Sequence, residues 1–355
     1  MDQNERTREL LLQHAEQYPA LQLQDLFKYI FQSACGCEHA VSSPDAAAAY
    51  IGKENENVRQ DAKQLIDLLD GSYSRVHLAC LQRGLSASTL GKLFFLSAKK
   101  ETDSTTVIEQ KLKIARALVL EKALPFDIVA FDQAARSWRS QGYPAIHHSD
   151  AFRQSYHPAY RVISNEYLPY LPLLTEIDKA IAKGRTTIAI EGGSASGKTT
   201  LAKLLQKIYS CTVYCMDDFF LRPEQRTAHR LAEPGGNVDR ERFAAEVLIP
   251  HSNGDAVRYR RFDCSTMTIL PPVEVLPANL TVIEGAYSMH PMLSPYYDLS
   301  VFLDVSPELQ RQRILARNSP HMAQRFFNEW IPLERKYFEQ LQIKERCSLT
   351  VRIGH

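Results

Sequence analysis

Residues Thr186 to Thr200 read TTIAIEGGSASGKTT. The first part is a short apolar run that ends in glycines, which reads as a buried strand. The second part satisfies the Walker A pattern G-x-x-x-x-G-K-[ST] with Gly192, Gly197, Lys198 and Thr199. Glycines let the backbone turn so that successive N–H groups of Gly193, Ser194, Ala195, Ser196, Gly197, Lys198, Thr199 and Thr200 face phosphate oxygens, and the helix that opens at Lys198 adds its positive end. In such a loop the Lys198 ammonium reaches the β and γ phosphates and the Thr199 hydroxyl ligates Mg²⁺. The pattern predicts a site for a nucleoside triphosphate, ATP with Mg²⁺, and leaves open what becomes of the γ phosphate.

Strands and helices alternate downstream of this loop. CTVYCM, LTVIEG and LSVFLDV are short β-rich runs separated by helical stretches such as Lys198 to Tyr209 and Pro307 to Arg317. That alternation predicts an α/β fold, a parallel sheet with helices on both faces. Upstream, a short amphipathic helix is expected over Leu173 to Ala182, stopped by Gly184. Further upstream the rhythm changes. From Arg6 to about Gln141 the apolar residues recur at helical spacing, as in Leu26, Phe27, Ile30 and Phe31, or Val107, Ile108, Leu112 and Ile114. Helix-start signals stand at Ser43-Pro44-Asp45, at Ser86 and at Asp103-Ser104. This half is expected to be all-helical. With roughly 150 residues per domain as a guide, 355 residues hold about two domains, placed at 1–165 and 166–355 because a Tyr-, His- and Pro-rich stretch from Gly142 to Pro172 interrupts long elements.

Acidic residues at the strand ends narrow the chemistry. No Asn-Lys pair occurs anywhere, so the base-reading N-K-x-D of a GTPase is absent, and LTVIEG ends in the single acid Glu284 rather than the Asp-Glu of remodelling ATPases. Glu284 is therefore the expected metal-facing carboxylate. CTVYCMDDFF ends in Asp217 and Asp218, at the sheet edge where open α/β sheets bind ligands. Transfer of a phosphoryl group to an alcohol needs a carboxylate to take the hydroxyl proton, and Asp217 suits that role; the alternative is that the two acids only cap a turn. Ser306 caps a helix carrying Arg311, Arg313 and Arg317, and Arg325 follows a break at Asn318 to Pro320. Arginines at 313 and 317 share one helix side, as a lid over the γ phosphate or as a solvated face.

These segments together, GGSASGKTT, DDFF, NVD (Asn237 to Asp239), IEG and the arginine-bearing LQRQRILARN, resemble the uridine kinase and phosphoribulokinase family of P-loop kinases over about residues 185 to 345. The resemblance implies that Asp217 is the general base and that Thr199, Asp217 and Glu284 surround Mg²⁺. It implies that Asp239 holds ribose hydroxyls; the residues alone also allow a helix N-cap, and one side chain can do both. It also places Tyr259 and Phe262 near the base; the departure is Arg260 and Arg261 between them, in a segment VRYRRFDC that reads as one strand with a polar edge. The arginines either contact an anionic group on the acceptor or face solvent. The acceptor it implies is a small molecule with a primary hydroxyl, most readily the 5′ hydroxyl of a nucleoside, with pantothenate or another alcohol as the alternative. A different class of reading is a nucleotide-sensing module whose helical half binds a protein partner.

Composition limits the remaining classes. Lys plus Arg total 42 and Asp plus Glu total 41, a net charge of +1, so no global basic field exists to hold nucleic acid or an anionic membrane. No run is long and apolar enough for a transmembrane helix, and the polar start Met1 to Glu9 is unlike a signal peptide, so a cytoplasmic location is expected. Seven scattered cysteines suit reduced thiols. CGCEH (Cys35, Cys37, His39) is not a standard zinc spacing, and Tyr156, Tyr160, Tyr167 and Tyr170 with Arg153 and Arg161 suit packing better than nucleic-acid binding.

Overall fold

The computed structural model describes residues 2–37, 41–56, 58, 65–98 and 104–354. The chain divides into two compact units, Met1–Leu171 and Pro172–His355.

The first unit contains helices α1 (Gln3–Gln17), α2 (Leu23–Cys35), α3 (Pro44–Asn55), α4 (Ala87–Ala98), α5 (Ser104–Leu120), α6 (Ile128–Ser140) and α7 (Asp150–Tyr156). Helix α2 is its centre: every residue from Asp25 to Cys35 is buried, so this helix packs on all sides rather than along one stripe. Several starts form as the local chemistry dictates. Ser43 Oγ accepts from Ala46 N at 3.1 Å with Pro44 in the first turn, and Ser86 Oγ accepts from Thr89 N at 3.0 Å. Asp103 and His39 lie outside the described residues. The unit is mainly helical but not all-helical. Strands β1 (Ile66–Leu68), β2 (Tyr73–His77) and β3 (Tyr160–Ser164) form an antiparallel sheet in the order β1-β2-β3. The expectation failed at β2 for a physical reason. Ser74 and Arg75 are as buried as Tyr73 and Val76, so the apolar and polar alternation that betrays a strand is missing.

The second unit opens with α8 (Leu171–Ile181) and is built on strands β4 (Thr186–Gly192), β5 (Thr212–Cys215), β10 (Leu280–Glu284), β11 (Leu299–Val305) and β12 (Leu349–Ile353). They pair in parallel in the order β12-β11-β4-β10-β5. All seven residues of β4 are buried, as a central strand covered on both faces must be. Ile188 and Ile190 are fully buried, each worth about 1.5–3 kcal/mol of transfer free energy. Helix α9 (Lys198–Tyr209) follows β4, and α13 (Pro307–Arg317), α14 (Pro320–Arg325), α15 (Ile331–Gln340) and α16 (Ile343–Arg346) follow β11. Between β5 and β10 the chain leaves the sheet through α10 (Ala228–Ala232), α11 (Arg240–Phe243), α12 (Ile249–Asn253) and the short strands β6 (Val257–Tyr259), β7 (Phe262–Asp263), β8 (Thr268–Ile269) and β9 (Val273–Val275). VRYRRFDC is thus two strands, not one. Tyr259 pairs with Val273 and Phe262 with Ile269, so the chain must break at Arg260 and Arg261 to serve two partners.

Candidate active site

Three parallel strands deliver their carboxyl ends to one edge. In register, Glu284 at the end of β10 stands beside Cys215 at the end of β5 and beside Ile190 of β4, two residues before the loop. The loop from Gly192 to Gly197 turns as only glycine readily permits. Gly192 has φ +147°, and a Cβ there would meet Leu303 O at 2.8 Å and Ser196 Oγ at 2.9 Å. Lys198 closes the loop on itself: its ammonium donates to the carbonyls of Gly192 (2.8 Å) and Gly193 (2.9 Å).

The Thr199 hydroxyl donates to Glu284 Oε1 at 3.0 Å, and the Cys215 thiol leans on the same oxygen at 3.4 Å. Asp217 follows β5 on a single turn, Met216–Phe219. Its side chain reaches solvent, yet the protein packed around it raises its carboxyl above the usual range, with the Lys198 ammonium opposing. Asp218 is raised by burial against the pull of Arg261. Thr199, Asp217 and Glu284 offer hard oxygen donors, the chemistry that Mg²⁺ selects over soft ligands, so the residues fit that ion. Among the described residues, no group of three or more His, Cys, Asp and Glu side chains is placed to hold a metal.

Two further carboxylates, Glu334 and Glu191, brace the loop. Glu334 on α15 accepts from Ser194 N (2.9 Å to Oε2) and from Ser194 Oγ (2.6 Å to Oε1). It is 5% exposed and raised by burial, with Lys198 opposing. Glu191, fully buried behind the loop, accepts from Gly192 N (2.8 Å), Met289 N (3.0 Å) and Tyr337 Oη (3.1 Å). Burial pushes it up to about 7. Glu191 carried a signal, an acid inside an otherwise apolar strand directly before Gly192; Glu334 lies 140 residues from its partner and carried none.

The remaining predicted residues divide. Arg313 does reach the loop, donating to the carbonyls of Ala195 (3.0 Å) and Ser196 (3.3 Å), and Gln310 beside it donates to Ser194 O (2.8 Å). Arg317 stands exposed one turn further along α13. Arg325 pairs with Glu329 at 3.1 Å and lies over the Trp330 ring. Asp239 is the N-cap of α11: Oδ1 accepts from Arg242 N at 3.1 Å, while Oδ2 takes Gln225 Nε2 at 2.9 Å. Tyr259 is buried against Tyr214 and Phe219, and Phe262 is buried. Arg260 is occupied by Glu246 at 3.0 Å.

No family model matches the chain. Uridine kinases of Staphylococcus aureus, strains JH9 and Newman, are each 26% identical to it over 147 residues, which is 39% of this chain and 70% of theirs. A solved structure of a possible uridine kinase from Bacillus stearothermophilus aligns with a TM-score of 0.38 and 21% identity, over 49% of this chain and 98% of that one. With the strand, loop and helix of the phosphate cradle in place, the second unit resembles P-loop kinases of the uridine kinase kind.

Proposed function

We propose that the second unit transfers the γ phosphoryl group of ATP to a primary hydroxyl of a small molecule, most readily the 5′ hydroxyl of a nucleoside. The observation that carries this reading is the convergence of Thr199 and Glu284, 3.0 Å apart, with Asp217 at the end of the adjacent strand, beside a Walker A lysine. In this reading Lys198 leaves the Gly192 and Gly193 carbonyls for the β and γ phosphates, and the loop amides hold the phosphate oxygens. Asp217 accepts the proton of the acceptor hydroxyl as the oxygen attacks phosphorus. Thr199, Glu284 and Asp217 would hold Mg²⁺, which neutralises charge on the phosphates when bound. Arg313 and Arg317 on α13 stabilise the charge that develops on the transferring group. Asp239 holds ribose hydroxyls with the capacity its cap and Gln225 leave, while Tyr259, Phe262 and Arg325 border the acceptor. A carboxyl raised above its usual value beside a lysine suits a base that works near neutral pH.

The test is ADP release measured with ATP, Mg²⁺ and a panel of nucleosides and pantothenate. The reading expects turnover with at least one nucleoside. Turnover with pantothenate alone moves the acceptor to a non-nucleoside alcohol, and ATP binding without any acceptor turnover supports a nucleotide-sensing module instead.

A further inference from the structure

The first unit carries an open cleft of about 640 Å³, within the range of about 300–1,000 Å³ typical of small-molecule sites. Its wall carries the cations Lys28, Arg153 and Arg161 against one lining acid among the described residues, Glu54. Glu54 is spent on Arg161, whose Nη2 donates to Oε2 at 2.7 Å, so Lys28 and Arg153 have no ion-pair partner among the described residues, Asp25 acting on Lys28 only at longer range. Lys28 is the more telling. It is 8% exposed, and its ammonium, with three donors, has one hydrogen bond, to Ile146 O at 2.8 Å, and no carboxylate partner among the described residues. A buried cation left in this way costs free energy unless an anion arrives. Arg153 stands exposed at the rim without a carboxylate partner among the described residues.

The floor is a fixed polar network. His148 Nδ1 pairs with Asp25 Oδ1 at 2.9 Å and Nε2 with Tyr160 Oη at 2.6 Å, while Gln32 Oε1 accepts from Arg75 Nε at 2.9 Å. Arg75 lies one layer below, fully buried, its guanidinium over the Tyr160 ring at 4.8 Å and its Nη2 without a hydrogen-bond partner. It places a positive charge under the floor with no ion pair within 4 Å among the described residues, Asp67 opposing it at longer range. Aromatic faces complete the walls: Phe31, Tyr50 and Phe94, the last two lying under the Arg161 guanidinium at 5.4 and 5.7 Å.

We infer that this cleft is a second ligand site, distinct from the phosphate cradle, for a small organic anion: an anionic head, phosphate monoester or carboxylate, that meets Lys28 and Arg153, on a planar body that packs against Phe31, Tyr50 and Phe94. Arginine and lysine without carboxylate partners recognise the head, and the aromatic walls recognise the body.

The test is calorimetric titration of the full chain carrying Lys198→Ala, with phenyl phosphate, benzoate and inorganic phosphate as probes. Phenyl phosphate or benzoate is expected to bind at one site. Binding should weaken at least tenfold in the added variant Arg153→Glu, whose exposed position leaves folding intact, and likewise in Lys28→Met. Phenyl phosphate alone identifies a phosphate monoester head, and benzoate alone a carboxylate. Failure of both aromatic probes to bind, or binding that persists unchanged in both variants, overturns the inference, because heat that survives them arises elsewhere in the molecule.

Discussion

Asp25 and Asp67 in the first unit are each held at about 2, whereas Glu191, Asp217, Asp218 and Glu334 around the phosphate loop are all raised. Burial pushes every one of these carboxyls upward; what differs is whether the partners outweigh it. Asp25 meets His148 Nδ1, Ser149 N and Oγ, and Gln22 N, and Asp67 meets His77 and Tyr18, which together outweigh burial. Around the loop the Met289 and Gly192 amides, Lys198 and Tyr337 oppose the rise at Glu191, Lys198 and Ser194 oppose it at Glu334, and Lys198 alone opposes it at Asp217, yet burial outweighs them. The first unit has settled its acids internally. The second keeps acids short of positive charge, as expected of a site completed by a metal ion and a substrate.

The contrast breaks first at Lys198. Lys198→Ala removes the cation shared by three acids and, in the proposed mechanism, the phosphate contact. Activity should fall roughly 10²–10³-fold, the scale for losing one preorganised charge partner, as read by ADP release. A variant that keeps near-full activity would leave Lys198 a merely structural tether of Gly192 and Gly193.

Acid should strike the first unit through its buried histidines, His14 and His148. Burial holds His148 at about 4, against an ordinary value near 6.5, so it bonds Asp25 as a neutral ring at neutral pH. A depressed value means the unfolded chain takes up the proton first. The stability is therefore present above about pH 6.5 and is lost as pH falls toward 4, with Asp25 and Asp67 removing more between about 4 and 2. Hydrogen exchange of α2 amides should show a loss on the order of 1–3 kcal/mol between pH 6.5 and 4. Protection that does not change over that range would contradict the settled network.

The sequence showed the second unit more clearly than the first, and the reasons are local. The phosphate loop is contiguous, so its glycines, Lys198 and Thr199 declare themselves within nine residues, and strand-end acids such as Glu284 and Asp217 follow from the parallel sheet. Glu334 escaped because its partner Ser194 is distant in the chain and a helical glutamate usually faces water. Sheet β1-β2-β3 escaped because it buries Ser74 and Arg75 as fully as Tyr73. Asp239 shows the limit from the other side: its N-cap geometry was legible in NVDRERF, while Gln225 on its second oxygen was not.

The smallest of the expected effects concerns the brace. Glu334→Ala frees Ser194 N and Oγ and should cost about 1 kcal/mol in a thermal melt of the chain, the net worth of such hydrogen bonds. No change in melting would mean that water replaces the carboxylate at no cost, and the raised acids around the loop would then need another account.

The central claim is that Asp217 is the base, and Asp217→Asn tests it most directly in steady-state ADP release followed across pH. Because Asp217 is raised and must be ionised to accept a proton, kcat/KM of the native chain should climb with pH through a value above the ordinary carboxylate range near 4. The variant should lose about 10²–10⁴-fold in kcat together with that acidic limb, while still binding ATP. Full activity in Asp217→Asn, or an acidic limb that survives the substitution, would contradict the account.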